Sequence, residues 1–160
     1  MSERLIAHWG TNNAEAFGPS GAKGDVGEDL VVATLHSWGW HAERLFDQRS
    51  QMAGIDIRFR NPKWVNWYTA DVKANIKGTS FYVETAPDGW LRNPRKISNR
   101  IWHVDVRSGL MIWYDRRAMI EYVTNNYSHH TPGTFLSFDD VPFAHKAVSR
   151  VTVTTEVKTR

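Results

Sequence analysis

Alternation of apolar and polar positions is clearest in two neighbouring stretches. Gly54-Ile55-Asp56-Ile57-Arg58-Phe59 and Tyr68-Thr69-Ala70-Asp71-Val72-Lys73-Ala74 both carry the two-residue period of a strand, so side chains at i and i+2 share a face. Asp71 and Lys73 therefore point the same way, and Tyr68, Ala70, Val72 and Ala74 are left to pack the other face. Before them, Asp25 can cap a helix running to about Ser37, in which Val31, Leu35 and Trp38 recur at helical spacing. Glu28 lies three and seven residues before Val31 and Leu35, on the same stripe. Gly39 ends that helix, and His41 to Phe46 reads as a first strand.

The rest of the chain continues the pattern. Asp47 to Ala53 reads as a polar loop, and Asn61-Pro62-Lys63 as a turn. Thr79 to Thr85 reads as a fourth strand. Residues 86–100 read as a loop with a short helical stretch around Lys96 to Arg100. Ile101 to Val106 and Leu110 to Tyr114 flank Ser108-Gly109 as a hairpin. Asp115 caps a helix through about Tyr127, with Met119, Ile120 and Val123 inward. Pro132 and Pro142 interrupt a tail that can end in a strand. Residues 1–23, rich in Gly and Asn, read as an arm, and 24–160 as one domain. The fold class is α/β, a central mixed β-sheet flanked by helices.

Composition narrows the function classes. The chain has 160 residues, 41% hydrophobic and 23% charged, as for an ordinary single domain. It has no cysteine, which excludes disulfides and thiolate-held zinc. No apolar stretch reaches the length of a membrane span, and Met1 to Gly10 does not read as a secretory leader. No membrane association and a cytoplasmic location are therefore expected. Eight tryptophans supply core and interface mass.

The formal charge of +3 is unevenly spread. Arg92, Arg95, Lys96, Arg100, Arg107, Arg116 and Arg117 face only Asp105 and Asp115 within 92–117. A basic stretch on a chain with clustered acids suits phosphate-backbone binding. It predicts a DNA-binding surface of Arg92, Arg95, Lys96, Arg100, Arg116 and Arg117, with Trp90 available for stacking.

The acids carry the candidate chemistry. Adjacent strands lie roughly 5 Å apart, so Asp56 can come alongside Asp71. Two such carboxylates repel unless a cation is shared, and a hard divalent ion with oxygen ligands is the simplest partner. An acid-x-Lys triplet is no rarity at this composition, and Glu156-Val157-Lys158 is a second one, with Asp139-Asp140 and Glu121 upstream. The first set is preferred because Lys158 lies two residues from the end, where a strand frays. His36, His41 and His129-His130 lack ligand spacing, and no phosphate loop or nucleophile elbow is present.

Glu28, then Gly54-Ile55-Asp56, then Asp71-Val72-Lys73 resembles the PD-(D/E)XK nuclease superfamily, over about residues 24 to 123. That family places a helix glutamate before a strand aspartate and an acid-x-lysine strand. The proline often found before the first aspartate is missing, and Gly54 opens the segment. Ser80-Phe81-Tyr82-Val83-Glu84 and Ile101-Trp102-His103-Val104 are similar to small phage-encoded members, resolvase-like or homing-type. The resemblance implies a restriction-endonuclease-like core and Mg²⁺-dependent hydrolysis of DNA, with Mn²⁺ able to substitute. It implies that Asp56, Asp71 and the Val72 carbonyl hold the metal, that Glu28 positions a second metal or a water, and that Lys73 activates the attacking water. Cutting two strands implies a homodimer. The competing readings are a non-catalytic DNA-binding module on the same fold and a structural protein with an incidental motif.

Overall fold

The computed structural model describes residues 5–8, 25–127, 132–151 and 153–156. His129, His130 and Lys158, and the arm beyond residues 5–8, lie outside that range.

Eleven strands and three α-helices follow one another among the described residues. They are β1 (Leu5–His8), α1 (25–37), β2 (His41–Arg44), α2 (Gln48–Met52), β3 (Ile57–Arg60), β4 (Tyr68–Lys73), β5 (Ile76–Lys77), β6 (Ser80–Glu84), β7 (Arg100–Val104), β8 (Leu110–Asp115), α3 (Arg116–Asn126), β9 (Gly133–Ser137), β10 (His145–Val148) and β11 (Val153–Glu156). The central sheet has six strands in the order β10-β8-β7-β4-β3-β2. It is mixed: β4 and β7 run parallel and the other pairs antiparallel. No helix among the described residues is long and apolar enough to cross a membrane.

Both faces of this sheet are covered. On one, Val31 and Leu35 of α1 pack with Ile57, Phe59, Ala70, Val72, Trp102 and Val104. These are the apolar positions expected from the alternation of β3 and β4. Gly27 sets the depth of that contact. A Cβ there would lie 2.8 Å from Val104 Cγ2, so only glycine allows the first turn of α1 to approach the sheet so closely. On the other face, Ile101, Ile112 and Tyr114 pack with Phe81, Val83 and Leu136 and with Met119 and Val123 of α3.

Several sequence expectations are corrected. Residues 47–53 are not all loop: Asp47 accepts from Ser50 N at 3.0 Å and caps the short α2, a side-chain signal of the N-cap type. The 79–85 strand forms as β6, but in a separate three-stranded sheet, β5-β6-β9. No helix forms at 96–100; the segment is irregular, and Ile97 N donates instead to Ala53 O at 2.9 Å. Residues 5–8, read as part of an irregular arm, form β1 and pair in parallel with β11.

Candidate active site

The site lies where β3 and β4 part. Their ladder joins Phe59 to Tyr68, Arg58 to Thr69 and Ile57 to Ala70, and goes no further. Asp56 stands one residue outside β3. Its N–H still reaches Ala70 O at 2.8 Å, and its carbonyl accepts from Leu45 N at 2.9 Å. Its side chain replaces the missing strand: Oδ2 accepts the Val72 N–H at 2.8 Å. The N–H and C=O of one strand residue face the same neighbour, so the Val72 carbonyl is directed to the same gap. Gly54, with φ +69°, makes the turn that delivers Asp56, in a conformation that side-chain-bearing residues rarely adopt.

Asp71 and Lys73 share the face predicted from their spacing. Asp71 is 4% exposed, and Lys73 Nζ lies 3.3 Å from its Oδ1. Asp56 lies near enough for its charge to act on the Asp71 carboxyl group. Burial first, and the Asp56 charge after it, push Asp71 up to about 7 against the pull of Lys73.

Glu28 reaches the same field from α1. Burial and then Asp56 push it up to about 8, while Arg44 opposes them. Arg44 is the counter-ion that the sequence pattern did not reveal. It contacts Asp25 at 2.9 Å, Asp29 at 2.9 Å and Glu28 at 3.4 Å, fastening the first turn of α1 to β2.

Trp90 and a buried polar network complete the surroundings of Lys73. Lys73 Nζ lies 5.1 Å from the centre of the Trp90 ring. Behind the indole, His103 bonds Asn75 Oδ1 through Nδ1 and the Tyr114 hydroxyl through Nε2, both at 2.6 Å. An amide oxygen only accepts, so Nδ1 carries the proton and Nε2 accepts from Tyr114. Burial, with Lys73 adding to it, holds His103 down at about 3 and hence neutral. Neither residue was singled out beforehand, because nothing in the local pattern distinguishes a buried His-Tyr pair from ordinary strand residues.

The basic stretch is only partly a surface. Arg116, expected to face DNA, is buried. Its guanidinium bonds Ser98 O at 2.6 Å, Trp90 O at 2.7 Å, Leu91 O at 2.6 Å and Ser98 Oγ at 2.8 Å. It anchors the 86–99 loop and holds Trp90 in place, which corrects its assignment as a DNA contact. Arg100 pairs with Asp115 at 2.7 Å and stacks on Tyr68 at 4.4 Å; by register it aligns with Ala70, on the face opposite Asp71. Lys96 Nζ donates to Met52 O at 3.1 Å and Arg92 to Thr85 O at 3.2 Å. Arg95 and Arg117 are exposed.

Among the described residues, no group of three or more His, Cys, Asp or Glu side chains forms a ready cage for a metal. The donor set nevertheless fits a magnesium ion. Mg²⁺ is commonly bound through one or two carboxylates, several waters and a substrate phosphate. Asp56 and Asp71 are such a pair, and their mutual repulsion is what a cation would relieve. Comparison of the chain with family models, curated proteins and solved structures gives no match, so its own residues and geometry carry the functional reading.

Proposed function

We propose that the chain is a Mg²⁺-dependent DNA endonuclease with a PD-(D/E)XK-type, restriction-endonuclease-like core. The observation that carries this reading is the Asp56 carboxylate accepting the Val72 N–H, with Asp71 and Lys73 paired on the residues either side of Val72. Two acids, a strand carbonyl and an ammonium thereby converge at one opening of the sheet.

Asp56, Asp71 and the Val72 carbonyl would hold the ion, which when bound supplies Lewis-acid stabilisation of the phosphate. Lys73, kept beside Asp71, orients the attacking water and offsets negative charge developing on the phosphate. Glu28 accepts a hydrogen bond from a water at the helix side of the opening and serves as a proton acceptor once ionised. Trp90 and the His103 network keep bulk water from the inner side of Lys73, which strengthens its charge at the phosphate. Cleavage of both strands calls for two such sites, so the active form is proposed to be a symmetric homodimer.

The test is incubation of the purified protein with supercoiled, linear and branched DNA, with and without Mg²⁺. Metal-dependent nicking is expected. DNA binding without cleavage in Mg²⁺ or Mn²⁺ would leave a non-catalytic binding module instead.

A further inference from the structure

A second group of basic and aromatic residues lies on the face of the central sheet that carries Asp71 and Lys73. The β3–β4 register sets Arg58 opposite Thr69, and Thr69, Asp71 and Lys73 alternate along β4. The β2–β3 register sets Arg58 opposite Glu43 and Arg60 opposite His41. All these side chains therefore belong to one face, while Ile57, Phe59, Ala70 and Val72 are in the core beneath the other.

Trp67 gathers this group. The Arg58 guanidinium lies 4.4 Å and that of Arg60 5.4 Å from its ring centre, with the His41 ring at 6.2 Å. Trp67 is 39% exposed, and β2 beyond it is the last strand of the sheet. Guanidinium groups laid on an indole have already given up much of their rotamer freedom, so less is lost when they take a ligand. Among the described residues the one anionic partner is Glu43, ion-paired with Arg58, while Arg60 donates to the Trp64 carbonyl at 2.9 Å. The Glu43 and Arg58 side chains are both about half exposed, and such a surface pair is weak enough to be exchanged for a stronger anion.

We propose that Arg58, Trp67 and Arg60 form a phosphate track that holds the DNA backbone on the sheet face leading to Asp71 and Lys73. This rests on the reading of Asp71 and Lys73 as a phosphodiester-cleaving site. Residues two apart on a strand are spaced by about 6.6 Å. Arg58 and Arg60 are thus placed to meet successive phosphates of one strand, in line with β4. Arginine's planar fork matches a phosphate in two bonds, and the ion pair of Arg100 with Asp115 and the burial of Arg116 make the 92–117 stretch a poorer counterpart.

The test is a salt titration of the full chain against a fluorescein-labelled 30-base-pair duplex and its single strand, in Ca²⁺. Losing two phosphate contacts should weaken duplex binding by Arg58→Ala/Arg60→Ala about tenfold or more at low salt and flatten the log–log salt slope by about 1.8. Arg58→Lys/Arg60→Lys should keep the slope while losing affinity, because charge persists without the stack or the fork. Glu43→Gln should bind about twofold or more tighter, since it removes a like charge from the track. A wild-type slope in the double alanine variant overturns the track, and so does Glu43→Gln binding more weakly. Cleavage in Mg²⁺ separates the two ideas. Variant-sensitive binding without any cleavage overturns the nuclease reading and keeps the track. Cleavage by the double alanine variant as fast as wild type at every salt concentration does the reverse.

Discussion

Asp56 and Val72 are joined by a 2.8 Å bond from the Val72 N–H to the Asp56 carboxylate, at the point where β3 leaves β4. A side chain here takes the place of a strand. An open backbone donor in a half-buried sheet would cost about 1–3 kcal/mol, and Asp56 removes that cost while bringing its charge to Asp71. The same bond that completes the sheet therefore assembles the candidate site.

Replacing the acid or the lysine should separate activity from stability. Asp71→Asn and Lys73→Ala should each lower DNA nicking by about 10²–10⁴-fold. Asp71→Asn should also melt no lower than wild type at pH 8 without metal, because a buried acid crowded by Asp56 no longer has to ionise. Glu156→Ala and Lys158→Ala should leave nicking near the wild-type rate. Loss of nicking in the last two with retention in the first two would relocate the site to the C-terminal triplet.

Loss of protons from two buried acids should make the metal-free protein less stable as pH rises. Glu28, pushed up to about 8, and Asp71, up to about 7, hold their protons more tightly folded than unfolded. Their contribution is fully present below about pH 4, falls as pH rises toward 8 and is gone above it, an effect on the order of a few kcal/mol together. Urea unfolding from pH 4 to 9 in EDTA should show this fall, and Glu28→Gln should remove part of it. A flat profile would mean that the two acids are not protonated in the folded chain.

Metal should act in the opposite direction, since it binds the ionised acids. Mg²⁺ or Mn²⁺ should raise the melting temperature at pH 8 more than at pH 5.5, because ligand deprotonation precedes binding. Ca²⁺, larger and freer in geometry, should support DNA binding with little hydrolysis, whereas Mn²⁺ should support both. Calorimetry with DNA present that detects no divalent ion would rule out the mechanism.

Arg116 should prove structural. Arg116→Ala leaves three carbonyls and the Ser98 hydroxyl without their buried donor, and should cost on the order of 3–5 kcal/mol in urea unfolding. Arg116→Lys should recover little, since an ammonium cannot span four acceptors in a plane. Tyr114→Phe, which removes one donor from His103, should cost about 1–3 kcal/mol. A small loss in Arg116→Ala would show that the 86–99 loop holds without its anchor.

Much of the scaffold is legible from local pattern. The period of two in β3 and β4 assigned Ala70 and Val72 to the core and Asp71 and Lys73 to the other face, as found. Asp25 to Ser37, the hairpin at Gly109 and the Asp115 cap were equally readable, because helical spacing, a turn glycine and an N-cap aspartate act within a few residues. The short α2 was missed although Asp47 caps it, since five residues with no buried side chain leave no periodic trace.

What pattern alone determined is which residues share a face: Asp71 with Lys73, and Glu28 with the apolar stripe of α1. Tertiary structure decided what those faces meet. It assigned β6 to a second sheet, sank Arg116 beneath a loop, turned Arg100 to the face opposite Asp71, and laid Arg58 and Arg60 on Trp67. Charge on a side chain is visible in the sequence. Whether that charge faces water, a carbonyl or an indole depends on contacts between segments far apart in the chain, and those exist only once the strands have paired.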